Sequence, residues 1–253
     1  MKSLVLETRV NTTSYTDATR QVEDWAFAGQ SQYVCIANVH VIMEAHDSID
    51  FRNAINSSDL VTPDGMPLVW MLRLKGVKGQ TRVYGPILML HVLEMAAREK
   101  IPVGFYGAKD QTLEKLIAHL GGLYPSLKVT YAFSPPFRPL EKQESAQIIK
   151  DITASGARIL FVGLGCPKQE IWMAEHKGKI PAVMLGVGAA FDFLAGTKPQ
   201  APSWMQAVGL EWFFRFIHEP RRLARRYLYN NPRFLFLALA DLLGILGKGN
   251  KEA

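Results

Sequence analysis

Through its middle the chain alternates short, unbroken apolar runs with amphipathic stretches. SQYVCIANV (31–39) predicts a strand, and HVIMEAHDS behind it a helix. KIPVGFYGA (100–108) predicts a strand followed by a helix in KDQTLEKLIAHLGG. LKVTYAFSP (127–135) and ARILFVGLG (157–165) read as further strands, followed by helices in LEKQESAQIIKDITASG and PKQEIWMAEHKG. PAVMLGVGAAF (181–191) reads as a strand throughout. Strands without polar alternation, each paired with a helix, predict an α/β fold with a mainly parallel, Rossmann-like sheet and helices on both faces. Such sheets bind ligands beyond the carboxyl ends of their strands. After about residue 200 the pattern turns helical. Residues 1–202 are therefore read as an α/β core and 203–253 as a helical, basic and apolar C-terminal appendage.

The chain start, MKSLVLETRVNTTSYTDATRQ, has no continuous apolar stretch before a small-residue cleavage site and does not read as a secretory signal. Near the other end, residues 234–246 are apolar except for Asp241. These 13 residues fall short of the roughly 20 that span a bilayer as a helix. The run follows a segment carrying Arg221, Arg222, Arg225, Arg226 and Arg233. Basic and apolar stretches side by side suit a segment lying on a membrane surface. A helix packed on the core, with its arginines in solvent, accounts for the same pattern.

Composition narrows the function classes. With 253 residues, 48% hydrophobic and 21% charged, the chain is neither disordered nor fibrous. Two cysteines, Cys35 and Cys166, cannot build a disulfide framework or a four-thiolate zinc site. A net charge of +6 favours anionic partners such as nucleotides, phosphates, acidic lipid or nucleic acid.

Three strand ends carry glycine turns: GFYGAKD with Gly107, VGLGCPKQE with Gly165, and GVGAAFDFLAG with Asp192 close behind. Glycine lets a backbone approach a ligand closely, and a following helix N-terminus presents N–H groups to phosphate. None completes the dinucleotide fingerprint, since Lys168 and Phe191 stand where a third glycine belongs, and no GxxxxGK[ST] occurs. A nicotinamide oxidoreductase or P-loop kinase is thereby disfavoured. In LGCPKQE, the helix dipole explains Glu170 but leaves Gln169 as a candidate sugar or base contact. In VTPDGMPLVW, Asp64 is either the cap of the following helix or a general base whose proton affinity is raised by apolar walls. Arg82, in TRVYGP, is either a solvated charge or a ligand for a diphosphate or carboxylate. The six histidines show no HExxH, and no Asp-x-Asp is present to hold a metal against a nucleotide. A nucleotide leaving group must then be offset by cations, of which residues 215–226 hold a concentration.

Taken in order, Asn38 in IANVHVIMEA, TPDGMPLVW, Arg82 in RVYGP, GFYGA, VGLGCPKQEIWM, GVGAAFDFLAG and QAPSWMQAVGLEWFFRFIHEPRRLARRY resemble the WecG/TagA/CpsF family of bacterial glycosyltransferases, glycosyltransferase family 26. The resemblance covers about residues 30–230. It implies an inverting, metal-independent enzyme without cofactor. Such an enzyme moves N-acetylmannosamine or a related hexose from a UDP donor to a polyprenyl-diphosphate-linked sugar at the inner face of the membrane. It also implies roles: Asp64 as general base, Asn38, Arg82 and Gln169 in the pocket, and Arg215, Arg222 and Arg225 closing over the donor diphosphate. Gly107, Gly165 and Asp192 join the substrate-binding set. Ile36 departs from the family, many members of which carry threonine there, so a hydroxyl contact to the sugar is missing. UDP-glucose or a UDP-uronic acid, in exopolysaccharide assembly, is the alternative donor. A non-catalytic module for nucleic acid or anionic lipid is the rival from another class, but it leaves Asp64 and the glycine turns unexplained, so no nucleic-acid partner is expected. A homo-oligomer is compatible with this reading.

Overall fold

The computed structural model describes residues 2–245. Six strands form one wholly parallel sheet: β3 (Tyr33–Ala37), β4 (Leu60–Pro63), β5 (Val103–Gly107), β6 (Val129–Phe133), β7 (Ile159–Gly163) and β8 (Val183–Gly186), in the order β4-β3-β8-β7-β5-β6. Strand side chains alternate between two apolar layers, which explains the unbroken apolar runs. On one face Val34, Ile36, Ile159 and Phe161 pack with α1 (Tyr15–Phe27), α5 (Gly85–Glu99), α6 (Asp110–Leu123) and α9 (Ala190–Leu194). On the other, Cys35, Ala37, Leu160 and Val162 meet α2 (Val39–Asp47), α3 (Ile49–Asn56), α4 (Met66–Leu74), α7 (Lys142–Ala154) and α8 (Lys168–His176).

The α/β class and all five strands read from the sequence are present, with two adjustments. The segment 181–191 is strand only to Gly186; Gly188 turns with φ +53 and α9 begins at Ala190. Phe191 therefore lies in a helix and packs edge-on against Phe105. β6 is an edge strand with mostly exposed or half-exposed residues, so the sheet is not equally covered along its width.

The remaining elements add an antiparallel hairpin, β1 (Lys2–Val5) with β2 (Thr8–Asn11), whose Asn11 Oδ1 accepts from the Val61 N–H of β4 at 2.9 Å. After residue 200 come α10 (Ser203–Ala207), α11 (Glu211–His218) and α12 (Pro220–Leu242), separated by Gly209 at φ +78 and by the Glu219–Pro220 step. One side of α12 lies on the α2 face, where Phe234 and Ala238 join the core. Polar contacts fasten it: Arg233 forks onto Asp47 at 2.7 and 2.8 Å, and Asp241 accepts from Lys75 Nζ at 2.7 Å and from the Leu6 N–H at 3.2 Å. The other side exposes Leu228, Leu235, Phe236, Leu239 and Leu242. The packed side is the one the core-helix reading anticipates, and the opposite side is left open to solvent. No helix among the described residues is long and apolar enough to cross a membrane.

Candidate active site

The site grows from the ends of β3 and β4, which lie side by side with Ala37 opposite Pro63. Asn38 follows β3 and caps α2, its Oδ1 accepting from the His40 and Val41 N–H groups at 3.1 and 3.3 Å. With Oδ1 engaged, the group Asn38 can offer a ligand is its amide nitrogen. Asp64 follows β4 and is fixed by its N–H donating to the Ala37 carbonyl at 2.7 Å. Gly65, at φ +96, then turns the chain into α4, which begins without a side-chain cap. Asp64 is therefore not a helix cap. Its Oδ1 instead accepts from Arg82, at 2.9 Å from Nε and 2.8 Å from Nη2.

Arg82 is positioned by its neighbours: the Val83 N–H donates to the Pro63 carbonyl at 2.9 Å, and the guanidinium lies 4.2 Å over the Tyr84 ring. Tyr84 is held in turn by Tyr15, whose hydroxyl accepts from the Tyr84 N–H at 2.9 Å. Arg82 Nη2 also donates to Glu211 Oε2 at 2.6 Å, so α11 closes the other side of the cluster. Asp64 is 8% exposed, and its carboxyl is pushed up to about 6. Burial is the main cause; Arg82 pulls the value down, Glu211 pushes it up, and Arg215 pulls it down. Burial disfavours the Arg82 charge, but Asp64 and Glu211 outweigh it and hold the guanidinium firmly protonated. Burial, then Glu211 and Asp64, push the Tyr84 phenol up.

This cluster forms the polar end of a cavity of about 680 Å³. Asn38, His40, Asp64, Arg82, Glu211 and Arg215 supply the polar groups; Trp70, Trp212, Phe213, Phe216, Phe234 and Leu235 supply apolar walls. The volume falls in the range of small-molecule sites, and the mix of convergent polar groups with apolar walls is their usual lining. A carboxylate of raised proton affinity beside fixed cations can accept a proton while negative charge develops nearby.

The structure brings Asn38, Asp64, Arg82 and Arg215 together on one cavity, and the other candidates lie outside its lining. Gly107, at φ +121, is pressed against Gly163 so closely that a Cβ would lie 2.6 Å from the Gly163 carbonyl carbon. Gly165, at φ +80, donates its N–H to Gln169 Oε1 at 3.1 Å. Buried Gln169 also donates through Nε2 to the Gly186 carbonyl at 3.1 Å and to Glu170 Oε1 at 2.8 Å. Gln169 thus has a structural occupation that the sequence does not disclose: it ties the β7 turn to the β8 turn. Asp192, on α9, accepts from Thr197 Oγ1 at 3.2 Å and lies 3.3 Å from Lys198 Nζ. Arg215 links the two regions, lining the cavity while its guanidinium lies 5.7 Å from the Phe193 ring centroid. Arg222 pairs with Glu219, which also meets Lys198 at 3.2 Å. Arg225 falls within α12, but its side chain lies outside the described residues. Ile36 is buried, and its Cδ1 would lie 3.3 Å from a Cβ placed on Gly85.

Sequence reasoning passed over Glu211 and His40. Glu211 carries a faint signal, a lone acid in the aromatic stretch GLEWFFRF. His40 lies two residues beyond Asn38, its Nδ1 3.3 Å from Asn230 Nδ2 of α12 and 3.6 Å from Glu44 Oε1.

The glycosyl transferase WecG/TagA/CpsF family model matches residues 4–246. Two relatives are similar over most of their length, both described as N-acetylglucosaminyldiphosphoundecaprenol N-acetyl-beta-D-mannosaminyltransferase. That of Bacillus subtilis (strain 168) is 29% identical over 209 residues, covering 82% of this chain and 79% of the relative. That of Bacillus spizizenii (strain ATCC 23059 / NRRL B-14472 / W23) is 28% identical over 208 residues, covering 82% and 78%.

Proposed function

Because this chain belongs to the WecG/TagA/CpsF family of glycosyl transferases, we propose that it moves N-acetylmannosamine or a related hexose from a UDP donor, with inversion, to a polyprenyl-diphosphate-linked N-acetylglucosamine in cell-surface polysaccharide assembly. The activity for which its relatives are named supports the sugar and the acceptor. Asp64 carries the mechanism: a buried carboxylate of raised proton affinity, held at a strand end and facing a cavity of ligand size.

In this reading Asp64 takes the proton from the acceptor hydroxyl. The hydroxyl oxygen attacks the anomeric carbon as the bond to the UDP oxygen breaks, and the electron pair leaves with the diphosphate. Arg82 and Arg215 offset that charge, joined by Arg222 and Arg225 as the C-terminal helices close. Cations fixed in place stabilise a departing anion without reorganising, so in this reading neither a metal ion nor a cofactor is required. Asn38 orients the sugar through its amide nitrogen. Gly107, Gly165, Gln169 and Asp192 shape the neighbouring strand ends that receive the nucleotide. Residues 1–202 supply the catalytic core and 203–253 the segment that meets the membrane. Its exposed side chains, including Phe236, Leu239 and Leu243, support docking on the inner leaflet, where the lipid-linked acceptor lies.

The test is transfer to synthetic N-acetylglucosaminyl-diphosphoprenol from a panel of UDP-sugars, with and without EDTA, and with the product anomer read by NMR. Since Ile36 is buried and offers no hydroxyl, UDP-glucose and UDP-glucuronic acid belong in the panel beside UDP-N-acetylmannosamine. The expected result is EDTA-resistant transfer of N-acetylmannosamine as the β-anomer from an α-linked donor. Retention of configuration, or loss of activity restored by magnesium, contradicts the mechanism.

A further inference from the structure

Glu211 opens α11 and is nearly fully buried. A carboxylate in a first helical turn is favoured by the helix dipole, which accounts for an acid at this position. The dipole does not account for its burial on an arginine that already has a partner. Arg82 Nη2 lies 2.6 Å from Glu211 Oε2 and 2.8 Å from Asp64 Oδ1. One guanidinium is therefore divided between two carboxylates, one from the end of β4 and one from the C-terminal helices.

The division bears on the chemistry assigned to Asp64. A carboxylate paired with an arginine of its own is a poor base, because the cation stabilises its ionised form. A second carboxylate on the same arginine weakens that stabilisation. The charged and titratable groups facing Asp64 are Arg82 from the loop before α5, Glu211 and Arg215 from α11, Tyr15 from α1 and Tyr84 at the start of α5; His40 of α2 lines the same cavity. Of these, Glu211 is the group whose fixed negative charge opposes the two arginines.

We propose that Glu211 is a positioning residue: when α11 docks, its carboxylate engages Arg82, divides the guanidinium, and leaves Asp64 basic enough to accept the proton. The inference rests on the reading of Asp64 as the base. It makes docking of the C-terminal helices part of the chemistry as well as of closure. With α11 away, Arg82 and Asp64 form a closed ion pair; with α11 in place, the pair is opened electrostatically.

The test uses the full chain with Glu211→Gln, which keeps shape and an acceptor for Arg82 but removes the charge. Two quantities are read: the Asp64 carboxyl titration by NMR of ¹³C-aspartate-labelled protein, assigned with Asp64→Asn, and the pH profile of kcat/KM with UDP-N-acetylmannosamine and N-acetylglucosaminyl-diphosphoprenol. Glu211→Gln should lower the Asp64 midpoint by about one pH unit and move the acid limb of the profile by the same amount. The high-pH plateau should fall roughly threefold, since a weaker base transfers the proton less readily. A purely structural Glu211 would change melting and leave the midpoint where it was. An unchanged midpoint and limb in the folded variant overturns the proposal. If Glu211→Gln does not fold, Glu211→Asp, with the charge drawn back by one methylene, should shift the midpoint down by a smaller amount, and no shift overturns the proposal equally. Wild-type turnover in Asp64→Asn would instead remove Asp64 as base, whereas the midpoint shift reports on Glu211 independently.

Discussion

Phe234 and Phe236 stand two residues apart on α12 and point to opposite environments. Phe234 is 2% exposed and belongs to the core cluster on the α2 face, whereas Phe236 is 73% exposed. Phe→Ala at a well-packed core site costs about 3–5 kcal/mol, from the lost transfer energy and the cavity left behind. For a chain of this size each kcal/mol lowers Tm by about 2–4 °C, so Phe234→Ala should melt roughly 6–20 °C below wild type. Phe236→Ala removes no packing and should stay within about 0.5 kcal/mol of wild type. On anionic vesicles the order reverses. Phe236 shares its exposed side with Leu235 and Leu239, and losing one aromatic ring there should weaken binding about tenfold, the equivalent of about 1.4 kcal/mol. Thermal melting followed by circular dichroism, with vesicle sedimentation of both variants, reads the two effects. If Phe234→Ala melts with wild type, α12 is not packed on the core as described, and the reasoning fails. If Phe236→Ala sediments with wild type, the exposed side is not the membrane-facing one. By the same logic, a chain ended near Pro202 loses Phe234, Ala238 and the Asp241 contacts, so it should keep the sheet but melt lower.

Gly107→Ala places a Cβ 2.6 Å from the Gly163 carbonyl carbon at a φ of +121, where neither backbone can move aside cheaply. A loss of about 2–4 kcal/mol and reduced soluble yield are expected; an unchanged Tm contradicts the close approach. Asp64 also gives stability a pH dependence. Its carboxyl is raised from 3.8 to about 6, mainly by burial, so the folded state holds the proton more tightly than the unfolded one. The resulting stabilisation is complete below pH about 4 and is lost as pH rises through about 6. Asp64→Asn has no such titration, so the Tm difference, variant minus wild type, should grow between pH 4.5 and 7.5. A difference that shrinks over that interval contradicts the sign.

The strands that follow from the sequence are those buried on both faces, where length and unbroken apolarity leave little alternative. β4 escapes because Pro63 ends a four-residue run and marks it as turn or edge; it is indeed an edge strand, and the turn begins at Asp64. The β1–β2 hairpin escapes because its bend uses Leu6 at φ +54 rather than glycine or asparagine. α1 does carry a legible start, with Ser14 as cap accepting from the Asp17 N–H. The site divides in the same manner. Asp64 and Arg82 each sit at a turn, so local sequence points to them, whereas Asn38 comes only from the family resemblance. Glu211 reaches Arg82 across 129 positions of chain. Only the fold, which sets the start of α11 beside Arg82, discloses that contact, just as the two turns held by Gln169 become visible only once β7 and β8 are neighbours.

Turnover of Asp64→Asn tests the central claim most directly. The substitution preserves shape and a hydrogen-bond acceptor for Arg82 while removing the base. With UDP-N-acetylmannosamine and N-acetylglucosaminyl-diphosphoprenol, kcat should fall by about 10²–10⁴-fold, the usual contribution of a general base, with donor affinity little changed and the fold intact by circular dichroism. Wild-type turnover in the folded variant would show that the proton goes elsewhere and that the Asp64 cluster is not the catalytic centre.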